Sequence, residues 1–468
     1  MSMSALFNSF TQETRLLRLS TPLGTDKLLA ECLRGEEGLS RCFEFKMTAL
    51  STNSGIKLSS LLGQSVLIEL LTAQSRAELR PFHGHVIAAE ALSADGGLAR
   101  YSLTVGPGYA FLAHGRDSRV FQNMNVFDIL DAVFGGWKNV GQLQPLWRFE
   151  IQDRAAYPAR SLTCQYQESN FAFAERLMRE EGLFYFFEHT GDSASPSLGT
   201  HTMVIADHNG AFKPNQQNRI AFKQPGAVMK EDSMDRWRIT LSQRTSAIEM
   251  ASWDYRTLST RPVSSASAGH SGDMLLTSSD TPGAYAYGSR EHGQRVAERQ
   301  MQALDIEREL FIGAGTVRTL SPGTTFALNG QAQLDASDSD DERNFTIVRV
   351  VHLAHNNLST EARTSIDKLL GQSALQKAIG IERDLELHAV GAEKGERPCT
   401  ATASTLSAAR HPIAAAQRTA MAMCCARDRL CRGSKPRSWL DQRDRIFTLT
   451  AITASRCSFT GSAPAVTA

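Results

Sequence analysis

Apolar and polar residues alternate in several short segments of the first hundred residues, which is the pattern of half-buried β-strands. Turn-forming residues separate these segments, and the Gly96-Gly97 pair is typical of a tight hairpin. Five or more short strands at this spacing predict a small barrel or sandwich. The predicted strands are Leu16–Leu19, Phe43–Met47, Ser65–Leu71, Phe82–Ala88 and Ala99–Val105.

Helical periodicity follows these strands. Val126–Val133 has apolar residues at helical spacing behind Asn125, a residue type that often caps helices. A clearer helix is predicted over Phe171–Glu181, because its apolar residues share one face and Gly182 is placed to end it. The apolar run Leu183–Phe187 then predicts a buried strand that leaves the helix directly.

The later part of the body mixes turn-rich and periodic segments. Residues 257–283 are rich in Ser, Thr, Gly and Pro, which predicts a long surface loop or connection. A second long helix is expected over Arg290–Leu304, and Pro322-Gly323 predicts a turn between two of the strands that follow it. These predicted strands are Leu310–Val317, Thr325–Leu328 and Phe345–Leu353.

Composition indicates a globular chain of more than one domain. It has 468 residues, 42% of them hydrophobic, and 50 Lys and Arg against 49 Asp and Glu. That length predicts two or three domains. No apolar run approaches the roughly 20 residues of a membrane span, and the first ten residues do not resemble a secretory signal peptide. We therefore expect no stable membrane insertion, and near-zero net charge gives no electrostatic reason to expect nucleic acid.

Cysteines and positive charge concentrate at the end of the chain. Residues 399–468 contain five of the eight cysteines, ten Lys and Arg, three Asp and no Glu. A basic arm for an acidic partner and a flexible tail both fit this composition. A zinc site on Cys424, Cys425 and Cys431 is disfavoured, because adjacent cysteines lack the spacing with which two thiolates hold one tetrahedral metal.

Candidate chemistry is sparse in the remainder. His83 and His85 share one face of a predicted strand, as metal ligands could, but no third ligand is nearby in sequence. We interpret them as half-exposed strand histidines. Glu180-Glu181 is interpreted as a solvated helix end, because adjacent helical residues do not face each other. The aromatic run Phe184–Phe187 is interpreted as core or subunit interface. We nominate no catalytic, cofactor-binding or metal-binding residues.

Several strings, in this order and spacing, resemble the N-terminal hub region of VgrG, the spike protein of bacterial type VI secretion systems. The resemblance covers roughly residues 10–398. The strings are LLGQSVLIELL (61–71), RPFHGHV (80–86), RDSRVFQNMNVFDIL (116–130), LTCQYQESNFAFAERLMREEGLFYFFEH (162–189) and LSPGTTFALNG (320–330).

The resemblance implies a mainly β fold with α/β segments, an α+β chain with two β-barrel-like domains of the phage baseplate-hub type. The predicted boundaries are 1–115 for the first barrel-like domain, 116–200 for an α/β segment with the helix–Gly–strand unit, and 201–380 for the second barrel-like domain. Residues 381–398 are expected to be a linker, and 399–468 a basic tail that is unfolded.

The resemblance also implies a structural role and not an enzymatic one. The expected partners are two further copies in a homotrimer, the hexameric Hcp tube that the spike caps, and secreted effectors or adaptors. The protein would be cytoplasmic before firing and would then leave through the type VI apparatus, without a signal peptide.

The tail departs from the family, whose members continue into an OB-fold neck and a trimeric β-helix. Without these parts we expect the chain to be incomplete for membrane puncture. Back-translation of Ile446–Ser462 in the frame that begins at each third base permits IHTDRDHRIKVQFHWQR, which resembles the start of the family's OB-fold. We hypothesise a single-nucleotide shift near the codons of Pro398 and Cys399, which leaves a C-terminally truncated reading.

Three alternatives stay open on the sequence alone. The chain could be a hub of a phage or other contractile tail, which shares the fold. It could be a hydrolase with an unrecognised active site, or a non-functional gene product whose tail drives aggregation.

Overall fold

A computed structural model describes residues 12–73, 79–95, 97–138, 140–141, 143–223, 231–267, 275–283, 286–335, 343–382 and 400–408. Strands form most of this part of the chain. In chain order they are β1 (Leu17–Ser20), β2 (Leu29–Gly38), β3 (Arg41–Ser51), β4 (Ser65–Leu70), β5 (Arg80–Asp95), β6 (Leu98–Gly106), β7 (Arg116–Met124), β8 (Leu146–Glu150), β9 (Arg160–Ser169), β10 (Phe184–Gly191), β11 (Gly199–Ala206), β12 (Lys213–Ala221), β13 (Met234–Leu241), β14 (Ala247–Asp254), β15 (Ser259–Ala266), β16 (Thr277–Asp280), β17 (Glu309–Gly315), β18 (Thr324–Asn329), β19 (Asn344–His355) and β20 (Thr400–Ala408).

Helices connect the strands at a few places. They are α1 (Val126–Gly135), α2 (Asn170–Glu181), α3 (Arg290–Arg308), α4 (Ala332–Asp335), α5 (Thr360–Leu370) and α6 (Ala374–Glu382).

The first six strands form a barrel-like unit, the first barrel. Their order is β1-β4-β5-β6-β3-β2, and each neighbour pairs antiparallel. The two ends of this order meet at Asn356, whose amide Nδ2 donates to the carbonyls of Leu17 at 3.0 Å and Ala30 at 2.7 Å. The interior is closely packed because alternate residues of every strand point inward. Fully buried aromatic rings fill it: Phe43, Phe45, Phe82 and Tyr101.

Later strands form a second barrel-like unit, the second barrel. β13, β17, β20, β19, β18 and β12 pair in this order. A parallel bridge between Phe222 and Met234 brings the chain just after β12 back to β13 and closes the circle. Its core is smaller than that of the first barrel and contains Phe311, Phe326 and Phe345.

The long strand β19 belongs to both barrels. Along one edge, Phe345–Ala354 pairs with β20. On the opposite edge, Asn344–Thr346 pairs with β18, and Arg349–His355 pairs with β2. One twelve-stranded sheet therefore runs through both barrels.

An α/β segment lies between the barrels in sequence. β8 pairs parallel to β11 and β11 antiparallel to β10, which gives a three-stranded sheet that we call the central sheet. β7 and β9 form a separate two-stranded ribbon. Helix α2 begins at Ser169, whose hydroxyl accepts from the N–H of Ala172, and ends at Gly182, whose φ of +72° is the left-handed conformation that glycine adopts readily.

A small third sheet, β15-β14-β16, lies on α3. Ser289 caps that helix through the N–H of His292. Ile248, Met250 and Val263 of the sheet pack against Ala297 and Met301 of the helix.

Most strand and helix predictions are confirmed, and many of the elements are longer than expected. The five N-terminal strands and the hairpin between Asp95 and Leu98 are present. The helix at Val126 starts where predicted, the helix predicted from Phe171 starts one residue earlier at Asn170, and the Arg290–Leu304 helix extends to Arg308. The sequence reading missed several elements, β2, β9, α5 and α6 among them.

Two expectations are wrong in part. Residues 257–283 are not one loop, because they contain β15 and β16, whose polar side chains lie on exposed sheet faces. Residues 399–468 were expected to be unfolded, yet 400–408 form β20 between β17 and β19. The remainder of that tail, with Cys424, Cys425 and Cys431, lies outside the described residues, as do 383–398 of the predicted linker. The domain boundaries stay a prediction.

Candidate functional site

Five histidines lie in and around the contact between the first barrel and the central sheet. His83 and His85 on β5 are each only 3% exposed, so the interpretation as half-exposed residues is wrong. The central sheet covers their face of β5 and brings His189 of β10 and His201 of β11 against them. The fifth, His352 of β19, packs against Phe82 with the two rings tilted by 56°. Sequence spacing could not reveal these partners, which are more than one hundred positions away.

Two of these rings belong to a linear chain of hydrogen bonds. The backbone N–H of Gly108 donates to Nε2 of His201 at 2.9 Å. Nδ1 of His201 lies 2.9 Å from Nδ1 of His83, and Nε2 of His83 lies 2.9 Å from the carbonyl oxygen of Ser197. Burial is the largest cause that lowers the pKa of His83, the Ser197 carbonyl opposes it, the charge of His189 adds a smaller lowering, and the net pKa is about 4. Burial likewise places the pKa of His201 well below its ordinary value.

A buried ion pair continues the junction toward β2 and β19. Arg80 Nη2 donates to Glu37 Oε2 at 2.8 Å, and His352 Nε2 lies 3.2 Å from the same oxygen. Burial alone would raise the pKa of Glu37, but Arg80 and hydrogen bonds from His189 and His352 hold it far below the usual carboxyl range. Burial and then Arg80 lower the pKa of His352, Glu37 opposes them, and the net pKa is about 4.

Two arginines connect the barrels through hydrogen bonds that run in both directions. Arg80 Nη1 donates to the carbonyl of Arg318 at 2.7 Å. Arg318 Nη1 donates back to the carbonyl of Leu71 at 2.9 Å, while its Nε and Nη2 grip Asp232 at 2.9 and 2.8 Å. Each guanidinium thus satisfies a main-chain acceptor on the other barrel's side of the junction.

A second fastening holds the helix pair α5 and α6 on the first barrel. Arg100, 1% exposed, makes a bidentate pair with Glu31 at 2.8 and 2.9 Å. The same guanidinium donates to the carbonyl of Gly371 at 2.6 Å, and Gln376 donates to Glu31 at 3.0 Å. Because both charges are buried, each is costly without the other.

Glu180 and Glu181 form part of an ionic cluster, so the interpretation as a solvated helix end is wrong for Glu181, which is buried. Glu181 accepts from Arg160 at 2.6 Å and from Arg295 at 2.8 Å. Burial would raise its pKa, but His292 and Arg160 lower it to about 2. The cluster ties α2 to α3.

The aromatic run 184–187 is core, one of the two roles predicted for it. Phe184 and Phe186 pack with Val204 and Ile306, whereas Tyr185 and Phe187 face the core of the first barrel.

Among the residues that the structure describes, no group of three or more His, Cys, Asp or Glu side chains is arranged to hold a metal ion. The same residues contain no helix long and apolar enough to cross a membrane. Cys32, Cys42 and Cys164 are free thiols. Burial raises the pKa of the Cys32 thiol to about 12, which leaves it protonated and unreactive.

Apolar side chains are exposed on the ribbon formed by β7 and β9. Val120, Leu162 and Tyr166 point outward with 60%, 55% and 72% exposure. Val120 pairs with Cys164 across the ribbon, so these residues form one outer face. Exposed apolar clusters of this kind are common where proteins bind other proteins.

Two barrel-like units that share a strand, with an α/β segment between them in sequence, define the fold of this chain. Two solved structures have this fold: an Escherichia coli c3393 protein, described as a component of the type VI secretion system with similarity to the T4 tail proteins gp27 and gp5, and a tail protein of Neisseria meningitidis MC58. Both align with a TM-score of 0.53 and cover 84% of this chain. The alignment includes 76% of the E. coli protein at 17% sequence identity and 96% of the N. meningitidis protein at 10% sequence identity.

The family model "Phage tail baseplate hub (GPD)" matches residues 36–358, and the chain belongs to this family. It is VgrG-like in sequence. It is 29% identical over 331 residues to the type VI secretion system spike protein VgrG1b of Pseudomonas aeruginosa and 28% identical over 330 residues to VgrG1a of the same organism. These alignments cover 70% and 69% of this chain but 42% and 48% of the relatives, so the chain spans less than half of their length.

Proposed function

We propose that this chain is the hub of a type VI secretion spike, a homotrimer that caps the hexameric Hcp tube and carries effectors or adaptors. The single observation that carries the proposal is the family match over residues 36–358, and the alignment with VgrG1b over 331 residues supports it. The role is structural. In this proposal the protein is assembled in the cytoplasm and is then exported with the tube.

The two barrels support the trimer by their number. Three copies would present six barrel-like units, and six units can meet the six subunits of a hexameric ring one to one. Closed cyclic symmetry favours such a match, because every contact is then satisfied without an open edge. The exposed outer face of the ribbon is a candidate contact between copies, since apolar side chains there would be covered in an assembly.

Light scattering on the purified full chain, followed by cosedimentation with Hcp hexamers, tests the proposal. We expect a discrete trimer that sediments with the tube protein. Leu162→Asp should weaken the trimer if the ribbon is a contact, whereas Ser161→Asp on the same strand adds the same charge and should change assembly less. A stable monomer at micromolar concentration that does not sediment with Hcp would contradict the proposal.

A second candidate is the hub of a phage or related contractile tail. The matching family model is that of a phage hub, and the N. meningitidis tail protein shares the fold over 96% of its own length. The same sedimentation experiment with a phage tail-tube protein separates the two, since a trimer that binds only the phage tube favours this candidate.

A further inference from the structure

The hydrogen-bonded pair His201–His83 joins parts of the chain that are 93 to 118 residues apart in sequence. Gly108 lies in the turn after β6, His201 on β11, His83 on β5 and Ser197 in the connection that precedes β11. The chain of bonds therefore connects the first barrel with the central sheet and with its connecting loop.

Both ends of this chain fix the direction of the protons. Because the Gly108 N–H can only donate, Nε2 of His201 must accept and carries no proton. A neutral His201 then carries its proton on Nδ1 and donates it to Nδ1 of His83. His83 in turn carries its proton on Nε2, where the Ser197 carbonyl can only accept. A single pair of neutral tautomers satisfies every bond.

An added proton disrupts this series of hydrogen bonds, whether it binds to His201 or to His83. On His201 it would occupy Nε2 and face the Gly108 N–H, so two donors would point at each other. On His83 it would occupy Nδ1 and face the Nδ1–H of His201. In both cases one bond of the chain is lost and a charge is buried.

Neighbouring charges do not stabilise that added proton. Glu37, the anion of this junction, already accepts from Arg80 and lies beside His352 and His189. His85 lies on the other side of the pair, with Nε2 3.4 Å from the hydroxyl of Ser65. The titratable groups beside the pair are His85 of β5 and His189 of β10, and beyond His189 lie Glu37 of β2, Arg80 of β5 and His352 of β19.

We propose that the hydrogen bonds of the His201–His83 pair hold the central sheet on the first barrel in an acid-sensitive way. Protonation of the pair loosens the central sheet from the first barrel while the barrel stays folded. The proposal goes beyond the role of the protein as a hub and does not depend on it. The low pKa of His83, about 4, places this loosening on the acid side of neutrality. Loosening would expose apolar surface, because Phe43 of the barrel packs edge-on against Phe187 of the central sheet.

Hydrogen exchange of the full chain, read by mass spectrometry and corrected for intrinsic rates, tests the proposal between pH 8 and pH 4.5. We expect protection in β10 and β11 to fall at least tenfold on acidification while β3 and β6 keep theirs. The double variant His83→Gln/His201→Gln cannot titrate but keeps a donor and an acceptor at each position, and it should hold β10 and β11 protected to a pH at least one unit lower.

His114→Gln is the matched control, because His114 is an exposed histidine that takes no part in these hydrogen bonds. This variant should lose protection in β10 and β11 at the same pH as the parent protein. Equal and simultaneous loss of protection in barrel and sheet, or unchanged protection in β10 and β11 at pH 4.5, would overturn the proposal. If the double variant does not fold, the parent protein alone decides through the same comparison of β10 and β11 with β3 and β6.

Discussion

The two barrels are closed by different means. The first has a continuous core in which Phe43, Phe45 and Phe82 are fully buried, and Asn356 bridges its first and last strands. The second has a smaller core and obtains one of its six strands, β20, from a distant part of the chain. Side-chain packing therefore dominates the first barrel, whereas the second depends more on complete backbone pairing.

Removing β20 should produce the largest difference. A chain that ends at Pro398 would leave the facing edges of β17 and β19 unpaired, and we expect the second barrel not to fold cooperatively. A chain that ends at Ala408 should behave like the full chain in urea unfolding and hydrogen exchange, with the first barrel intact in both.

The same pair of truncations bears on the proposed frame shift near the codons of Pro398 and Cys399. If the chain ending at Pro398 folds as well as the longer one, β20 is dispensable and the shift gains support. The nucleotide sequence beyond codon 398 is the independent check, and a closed alternate frame contradicts the shift.

Breaking the buried pair of the first barrel should have the next largest effect. Arg100→Met leaves the buried Glu31 carboxylate without a positive charge beside it, and we expect a loss of about 3–5 kcal/mol in the free energy of unfolding. Arg244→Met removes an exposed pair with Glu307 and should cost less than about 1 kcal/mol. Urea unfolding measures both, and similar losses would show that the Arg100 pair is not special.

Acid should act on the α2–α3 contact in a lower pH range than on the histidines. The folded-state pKa of Glu181 is about 2 against an ordinary value of 4.5, so the unfolded chain binds more protons between these values. The stability that Glu181 contributes is present above pH 4.5 and is lost as the pH falls toward 2.

Folded-state pKa values near 4 for His83 and His352 similarly predict a loss as the pH falls from 6.5 to 4. Glu181→Gln should lower the free energy of unfolding by about 3 kcal/mol at neutral pH. It should remove the pH dependence of stability in the lower pH range only, the range assigned to Glu181. Unfolding in urea across pH measures both ranges, and a variant that flattens the upper one contradicts this assignment.

A turn in the third sheet should give the smallest effect, and in the stabilising direction. Leu258 joins β14 to β15 with φ of +51°, which is unfavourable for a bulky residue, and its side chain is 75% exposed. Leu258→Asn should stabilise the protein by about 1 kcal/mol. Leu275→Asn is the control, because Leu275 is 74% exposed without a positive φ; equal effects of the two changes would contradict the strain argument.

Local signals in the sequence predicted the elements that are determined locally. Helix α2 could be predicted because its cap, its apolar face and Gly182 lie within fourteen consecutive residues. The hairpin between β5 and β6 is similar, since Gly97 has a φ of +89°. The sequence strings that resemble VgrG predicted the phage baseplate-hub type of fold for roughly residues 10–398.

Elements that depend on distant partners could not be predicted in this way. β15 and β16 have mostly exposed, polar side chains, so they show no clear alternation and look like a loop. β20 is a strand because β17 and β19 leave a place for it. His83 and His85 were correctly placed on one face of a strand, but their burial depends on β10 and β11, which follow a hundred residues later.

The pairing of β2 with β19 also determines how the molecule carries mechanical load. Seven residues of β19, from Arg349 to His355, face Gly38 to Cys32 of β2 in antiparallel register. A force that pulls the barrels apart along these strands loads all of these backbone hydrogen bonds in shear, so they must break together and not one after another. Arg80 and Arg318 add side-chain bonds across the same junction. The two barrels should therefore transmit a sudden thrust as one rigid piece.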